Sequence, residues 1–217
     1  MLAPLVFNAF WASVVIERLG YGCISCVVQW FVLGVTDCPV GTVEVDETYV
    51  GGEYSGKRGR GSAGKSLVVI AVEIKGRRIG RIRLHQVMDA SAASLTRAAQ
   101  ESVELGSNVR TDAWNGYNRL ESVGYKHMVI SSGNDVGDNL LPHVHLVASL
   151  LKRWLLGTHQ GAVQASHLDY YLDEFTFRFN RRASRSPGKL FYRLIQQAVV
   201  VEPVKGKNFK GTRPYFL

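Results

Sequence analysis

VEVDETYVGG, residues 43–52, reads as a buried strand by its apolar Val43, Val45 and Val50, yet it carries three carboxylates, Glu44, Asp46 and Glu47. A strand core excludes an unpaired carboxylate, because removing its charge from water is costly. A cation held at the strand would account for acids in such a place. The rest of the chain tests that idea.

Beyond the strand comes YVGGEYSGKRGRGSAGKS, glycine-rich and basic with no apolar period, which predicts a loop or hairpin tip. LVVIAVEI (67–74) is a strand. A turn at Lys75-Gly76-Arg77 joins it to RIGRIRLHQV (78–87), whose alternation predicts its hairpin partner. The alanine-rich 90–103 segment predicts an amphipathic helix. SNVRTDAW (107–114) is a short strand, GYNRLESVG a short helix and YKHMVIS (125–131) another strand. From about Leu140 the pattern turns helical, in LPHVHLVASLLKRWLLG, SHLDYYLDEFTFRFNRR and SPGKLFYRLIQQAVV. Three antiparallel strands, a helix and two further strands before a helix are the layout of an RNase H-like α/β core. We therefore expect a mixed five-stranded sheet flanked by helices, with a helical C-terminal part. In open α/β sheets, ligands gather at the carboxyl ends of the strands.

The 217 residues are 46% hydrophobic, enough for one substantial core, and carry a formal net charge of +8. That excess favours a polyanionic partner, nucleic acid ahead of a membrane surface. The charge is uneven. Residues 1–40 hold only Glu17, Arg18 and Asp37, a net of −1, so the remainder carries +9. This shift near Gly41 is a candidate boundary between an atypical apolar segment over 1–40 and the rest of the chain, whose last residues, 201–217, read as a basic tail. The first segment lacks the basic start of a signal peptide. Its longest apolar run, YGCISCVVQWFVLGV, is shorter than the roughly 20 residues that span a bilayer. Cys23 and Cys26 form a CxxC, but only Cys38 follows and no histidine precedes His85, so a zinc site lacks its second ligand pair. With few cysteines and no export signal, a cytoplasmic protein is expected.

Asp46 lies on the first strand and Asp112 at the end of the strand after the first helix; those strands are neighbours in an RNase H-like sheet. Two carboxylates brought together repel unless a cation lies between them. Mg²⁺ prefers oxygen ligands and keeps several waters, and paired ions activate attacking and leaving oxygens in phosphoryl transfer. Taken singly, each acid also fits a cap or turn; Asp112, before AWNGY, is placed to cap a helix. The long helix after the sheet has no acid, so His143 and His145 are its candidate ligands. His145, Ser149 and Lys152 fall at i, i+4 and i+7 on one polar face, which also suits a merely solvated surface. Imidazole is a poorer Mg²⁺ ligand than carboxylate, and Lys152 is suited to a phosphate.

VEVDETYVGG, TDAWNGY, LLKRWLLGTHQG and HLDYYLDEFTFRFNRR, in that order, resemble the DDE-type insertion-sequence transposases with an ISXO2-like transposase domain, over about residues 41–200. The resemblance implies an RNase H-like fold that cuts transposon ends and joins them to target DNA with a divalent metal, Mg²⁺ or Mn²⁺. Asp46 matches the first catalytic acid and Asp112 the second. Relatives with a third acid carry Glu seven residues before the lysine of the LKR motif; here that position is His145, a type the family tolerates. The implied catalytic set is Asp46, Asp112, His145 and Lys152, with the first three on the metal. Candidate DNA contacts are Lys57, Arg58, Arg60 and Lys65 in the glycine-rich loop, Lys152, Arg153 and His159, and Arg178, Arg181 and Arg182. The last three lie beside Phe175, Phe177 and Phe179, so a core helix with a basic solvent side stays open. Trp154 and Leu155 are expected to pack their helix on the sheet. Joining two DNA ends implies a homo-oligomer on DNA.

Family members usually begin with a zinc ribbon and a helical DNA-binding segment. The first 40 residues resemble neither, so we expect a truncated or frame-shifted front without its end-binding module. Beside a transposase, two alternatives stand: a nuclease on the same fold, and an inactive DNA-binding relic.

Overall fold

A computed structural model describes residues 38–51, 65–131, 140–159, 163, 165–186 and 188–192. Residues Asp37–Leu168 form one compact unit. Its strands are β1 (Thr42–Val50), β2 (Ser66–Lys75), β3 (Arg78–Val87), β4 (Asn108–Thr111) and β5 (Lys126–Val129). Helix α1 (Ala92–Ser102) precedes β4, and helix α2 (Pro142–His159) follows β5. Single 3-10 turns, Asn115–Tyr117 and Glu121–Val123, stand where a short helix was expected between β4 and β5.

The strands lie in the order β3-β2-β1-β4-β5. β1 pairs antiparallel with β2, and β2 with β3; β4 runs parallel to β1, and β5 parallel to β4. This is the mixed five-stranded sheet of an RNase H-like fold. The β2–β3 turn is tight, and Gly76 takes φ 62° there, a left-handed value that side chains rarely adopt. β4 is shorter than expected and ends at Thr111, so Asp112 stands just past the strand.

Alternation along the strands sorts residues between two faces. On one face Val43, Val45, Val69 and Ala71 are buried with Leu95, Ala98 and Ala99 of α1 and with Tyr117. Ser91 starts α1, its Oγ accepting from the Ser94 N–H at 3.3 Å. The opposite face of β1 and β2 meets α2, which buries Val144, Val147, Leu151 and Leu155 at helical spacing. β2 is thus covered on both sides, which is why Leu67–Val72 is an unbroken apolar run rather than an alternating one.

Helix α3 (Leu168–Asn180) lies, from Asp169 on, in a second unit. It buries Leu168, Leu172 and Phe175. Arg178 pairs with Glu174 at 2.6 Å, Arg181 lies 4.1 Å over the Phe177 ring and Arg182 4.1 Å over that of Phe179. Residues 188–192 are helical. The expectations for residues 1–37, including Cys23 and Cys26, for the rest of the last helix and for the basic tail lie outside the described residues. Among those described, no helix is long and apolar enough to cross a membrane.

Candidate active site

The carboxylates of β1 have three different environments. Val43, Val45 and Glu47 share the α1 face, while Glu44 and Asp46 share the α2 face. Glu44 is buried, and its Oε2 accepts from the backbone N–H groups of His143 and Val144, each at 2.9 Å. Its Oε1 meets His143 Nδ1 at 2.8 Å. Glu47 Oε2 accepts from the Tyr117 hydroxyl at 2.8 Å. Burial and the Glu47 charge raise the Tyr117 phenol well above its ordinary value, so it stays a donor.

Asp46 is one-fifth exposed. Its Oδ1 accepts from the Glu47 N–H at 2.8 Å, and its Oδ2 lies 3.1 Å from His145 Nε2. Parallel pairing of β1 with β4 runs Thr42↔Asn108, Val43↔Val109, Glu44↔Arg110. Two residues further along the same register, Asp46 comes opposite Asp112. Burial first, then the charges of Glu47 and Asp112, raise the Asp46 carboxyl from 3.8 to about 6; the Glu47 N–H and His145 oppose them. Burial and neighbouring negative charge thus act together on this carboxyl, as they do at many functional sites.

Asp112 sits in a side-chain-capped turn, its Oδ1 accepting from the Trp114 N–H at 3.1 Å. The Trp114 indole donates to the Ala90 carbonyl at 3.3 Å. Fully buried Thr111 donates its hydroxyl to the Asp112 carbonyl at 2.9 Å. A hydroxyl has one proton, so His127 Nε2, 2.8 Å away, is the donor to Thr111. Burial lowers His127 below its ordinary value and keeps that ring neutral.

The structure therefore puts His145 against Asp46, with Asp112 near enough for its charge to act on Asp46. The alternative helix candidate, His143, is instead engaged by Glu44. Among the described residues no group of three or more His, Cys, Asp or Glu side chains has a metal-holding arrangement. Ser149 donates to the His145 carbonyl at 2.9 Å rather than towards the acids. Lys152 and Arg153 are exposed on α2, Lys152 about 10 Å along the helix axis from His145. His159 ends α2 with its ring edge-on to Trp154 at 4.8 Å. Leu155 is buried, whereas Trp154 is half-buried. Lys65 is exposed just before β2; Lys57, Arg58 and Arg60 lie outside the described residues.

The roles of Glu44, Glu47 and Tyr117 were not foreseen from sequence. Strand parity alone separates Glu47 from Asp46 and groups Glu44 with it. Nothing local in TDAWNGY signals that the tyrosine reaches β1.

Residues 40–180 match the family described as ISXO2-like transposase domain. Among solved structures, the catalytic core domain of BIV integrase shares 14% identity at a TM-score of 0.42, covering 73% of this chain and 97% of that one. The simian T-cell lymphotropic virus intasome in complex with PP2A regulatory subunit B56 gamma gives 13% and 0.40, over 62% of this chain and 48% of that one. The Drosophila P element transposase strand transfer complex gives 11% and 0.27, over 97% and 59%. No curated protein matches the chain.

Proposed function

Because the chain belongs to the ISXO2-like transposase domain family, we propose that it catalyses metal-dependent cleavage of insertion-sequence ends and their transfer to target DNA. The observation that carries this reading is the meeting of Asp46 Oδ2 with His145 Nε2 at 3.1 Å, on the strand whose parallel register with β4 leads to Asp112. The donor set fits Mg²⁺ or Mn²⁺, which take hard oxygen ligands and need only one or two protein carboxylates beside water and substrate phosphate. Asp46 and Asp112 would hold the ion, with His145 as third ligand. Bound there, a divalent ion would neutralise the paired carboxylates and stabilise the attacking and leaving oxygens of phosphoryl transfer.

The chain's own residues supply the rest. Asp46 presents its carboxylate from the middle of β1 and Asp112 from the turn just past the end of β4, the neighbouring strand. His145 stays against Asp46 Oδ2 and limits how that carboxylate turns. Lys152 and Arg153, exposed on the same helix, hold DNA phosphates, as do Lys65 with Lys57, Arg58 and Arg60, His159, and Arg178, Arg181 and Arg182. In this reading the protein works in the cytoplasm as a homo-oligomer on DNA.

The test is incubation of the purified chain with labelled DNA carrying the terminal repeats of its own element, with Mg²⁺ or Mn²⁺, beside Asp112→Ala. Joined product that needs the metal and disappears in the variant supports strand transfer. Metal-dependent cleavage without joining would indicate a nuclease. A folded chain that binds DNA yet gives no product would indicate an inactive relic.

A further inference from the structure

Each glutamate beside Asp46 is tied to the element that carries one of the other two site residues. Glu44 leaves β1 towards α2 and accepts from the N–H groups of His143 and Val144 and from the His143 ring. These N–H groups belong to the first turn of a helix, where no intrahelical acceptor exists and the helix dipole favours an anion. α2 has no acidic residue of its own in that turn. Glu44 therefore caps α2 from the neighbouring strand, one residue before the helix reaches His145. A slip of one residue there would turn His145 by about 100° around the axis. Glu47 leaves β1 on the other face and binds the hydroxyl of Tyr117, five residues after Asp112. Tyr117 is fully buried, and a side chain added at Gly116 would meet Leu95 and Trp114, so this turn is packed from below. Asp112 lies past the last β4 pairing; its side chain is held through the Trp114 N–H by the turn that Tyr117 anchors.

We infer that Glu44 and Glu47 are positioning residues, the first setting His145 and the second, through Tyr117, setting Asp112 against Asp46. The inference rests on the metal-site reading above. It assigns neither glutamate to the metal: both oxygens of Glu44 are taken by donors in a buried pocket, and Glu47 points to the α1 face.

The test uses the full chain, the variants Glu44→Ala, Glu44→Gln and Tyr117→Phe, and Asp46→Ala as the reference for a lost ligand, each checked for folding by circular dichroism. Two things are measured: Mn²⁺ affinity by electron paramagnetic resonance, and metal-free NMR shifts of the His145 ring nitrogens and the Trp114 amide. Glu44→Ala is expected to move the His145 ring to the shifts of a free histidine and weaken Mn²⁺ about tenfold, in line with outer partners of metal ligands elsewhere. Glu44→Gln keeps an oxygen for the two N–H groups and an amide for His143 Nδ1, so it should stay within about twofold of the wild type. Tyr117→Phe should leave His145 in place, move the Trp114 amide and weaken Mn²⁺ about tenfold. If Glu44→Ala does not fold, Glu44→Asp, one methylene too short to reach the helix, takes its place with the same expectation.

A folded Glu44→Ala with wild-type His145 shifts, or Tyr117→Phe with an unmoved Trp114 amide, overturns the inference. So does a Glu44→Gln that loses Mn²⁺ as fully as Asp46→Ala, because that would make Glu44 a ligand. A wild-type chain that binds no Mn²⁺ defeats the metal reading instead, while the two metal-free shifts still decide the positioning roles.

Discussion

Replacing Asp46 by Asn should make the metal-free protein more stable at neutral pH, although it removes a residue assigned to the site. Burial and the charges of Glu47 and Asp112 hold the carboxyl at about 6 against an ordinary 3.8. At about 1.36 kcal/mol for each unit of pKa, ionising it in the fold costs about 3 kcal/mol more than in the unfolded chain. The folded state binds this proton more tightly. The contribution of this group to stability is therefore most favourable below about pH 4, falls as pH rises to about 6, and carries the full penalty above that. Asn keeps an oxygen for the Glu47 N–H at 2.8 Å but loses the attraction to His145. About half the ceiling, ~1–2 kcal/mol, should remain as a gain near pH 8 and vanish near pH 4. For a chain of this size that is a rise in melting temperature of about 3–8 °C. Thermal melts and urea titrations in EDTA at both pH values provide the assay. An Asn variant no more stable than the wild type near pH 8, or one with equal gains at both pH values, would refute the reasoning. Excess Mg²⁺ should reverse the ranking by stabilising only the wild type.

Leu95→Ala removes a fully buried side chain between α1 and the sheet and should cost about 2–5 kcal/mol in urea unfolding. Leu156→Ala, at a residue 68% exposed on α2, should stay within about 0.5 kcal/mol. Gly80→Ala would drive a methyl group into the buried Glu73 carboxylate, which accepts the Arg81 N–H at 2.8 Å, so calorimetry should show a loss of about 1–3 kcal/mol. Ser91→Ala removes the cap of α1 and should lower stability by about 1 kcal/mol, seen as a small drop in the melting temperature.

Periodicity alone reached far into this fold. β1, the β2–β3 hairpin, α1 and α2 all stand where their patterns put them, because each buries a continuous stripe or face that its own residues announce. That β1 and β4 are neighbours followed from the RNase H-like layout the element order suggested; the full order β3-β2-β1-β4-β5 is read from the sheet itself. The segment between β4 and β5 was less legible: its 3-10 turns depend on Tyr117 and Leu120 packing beneath α1, not on a local helical period. Asp46, Asp112 and His145 could be singled out from their spacing and family resemblance. What the sequence could not decide was which carboxylate of VEVDETYVGG does what. Adjacent residues on a strand point to opposite faces, and each face meets a partner from a distant part of the chain. Only the packed sheet puts Glu44 under the first turn of α2, Glu47 on Tyr117, and Asp46 between His145 and Asp112. The residue types and their order are properties of the chain. The crowding that raises Asp46 exists only once burial and two other carboxylates surround it.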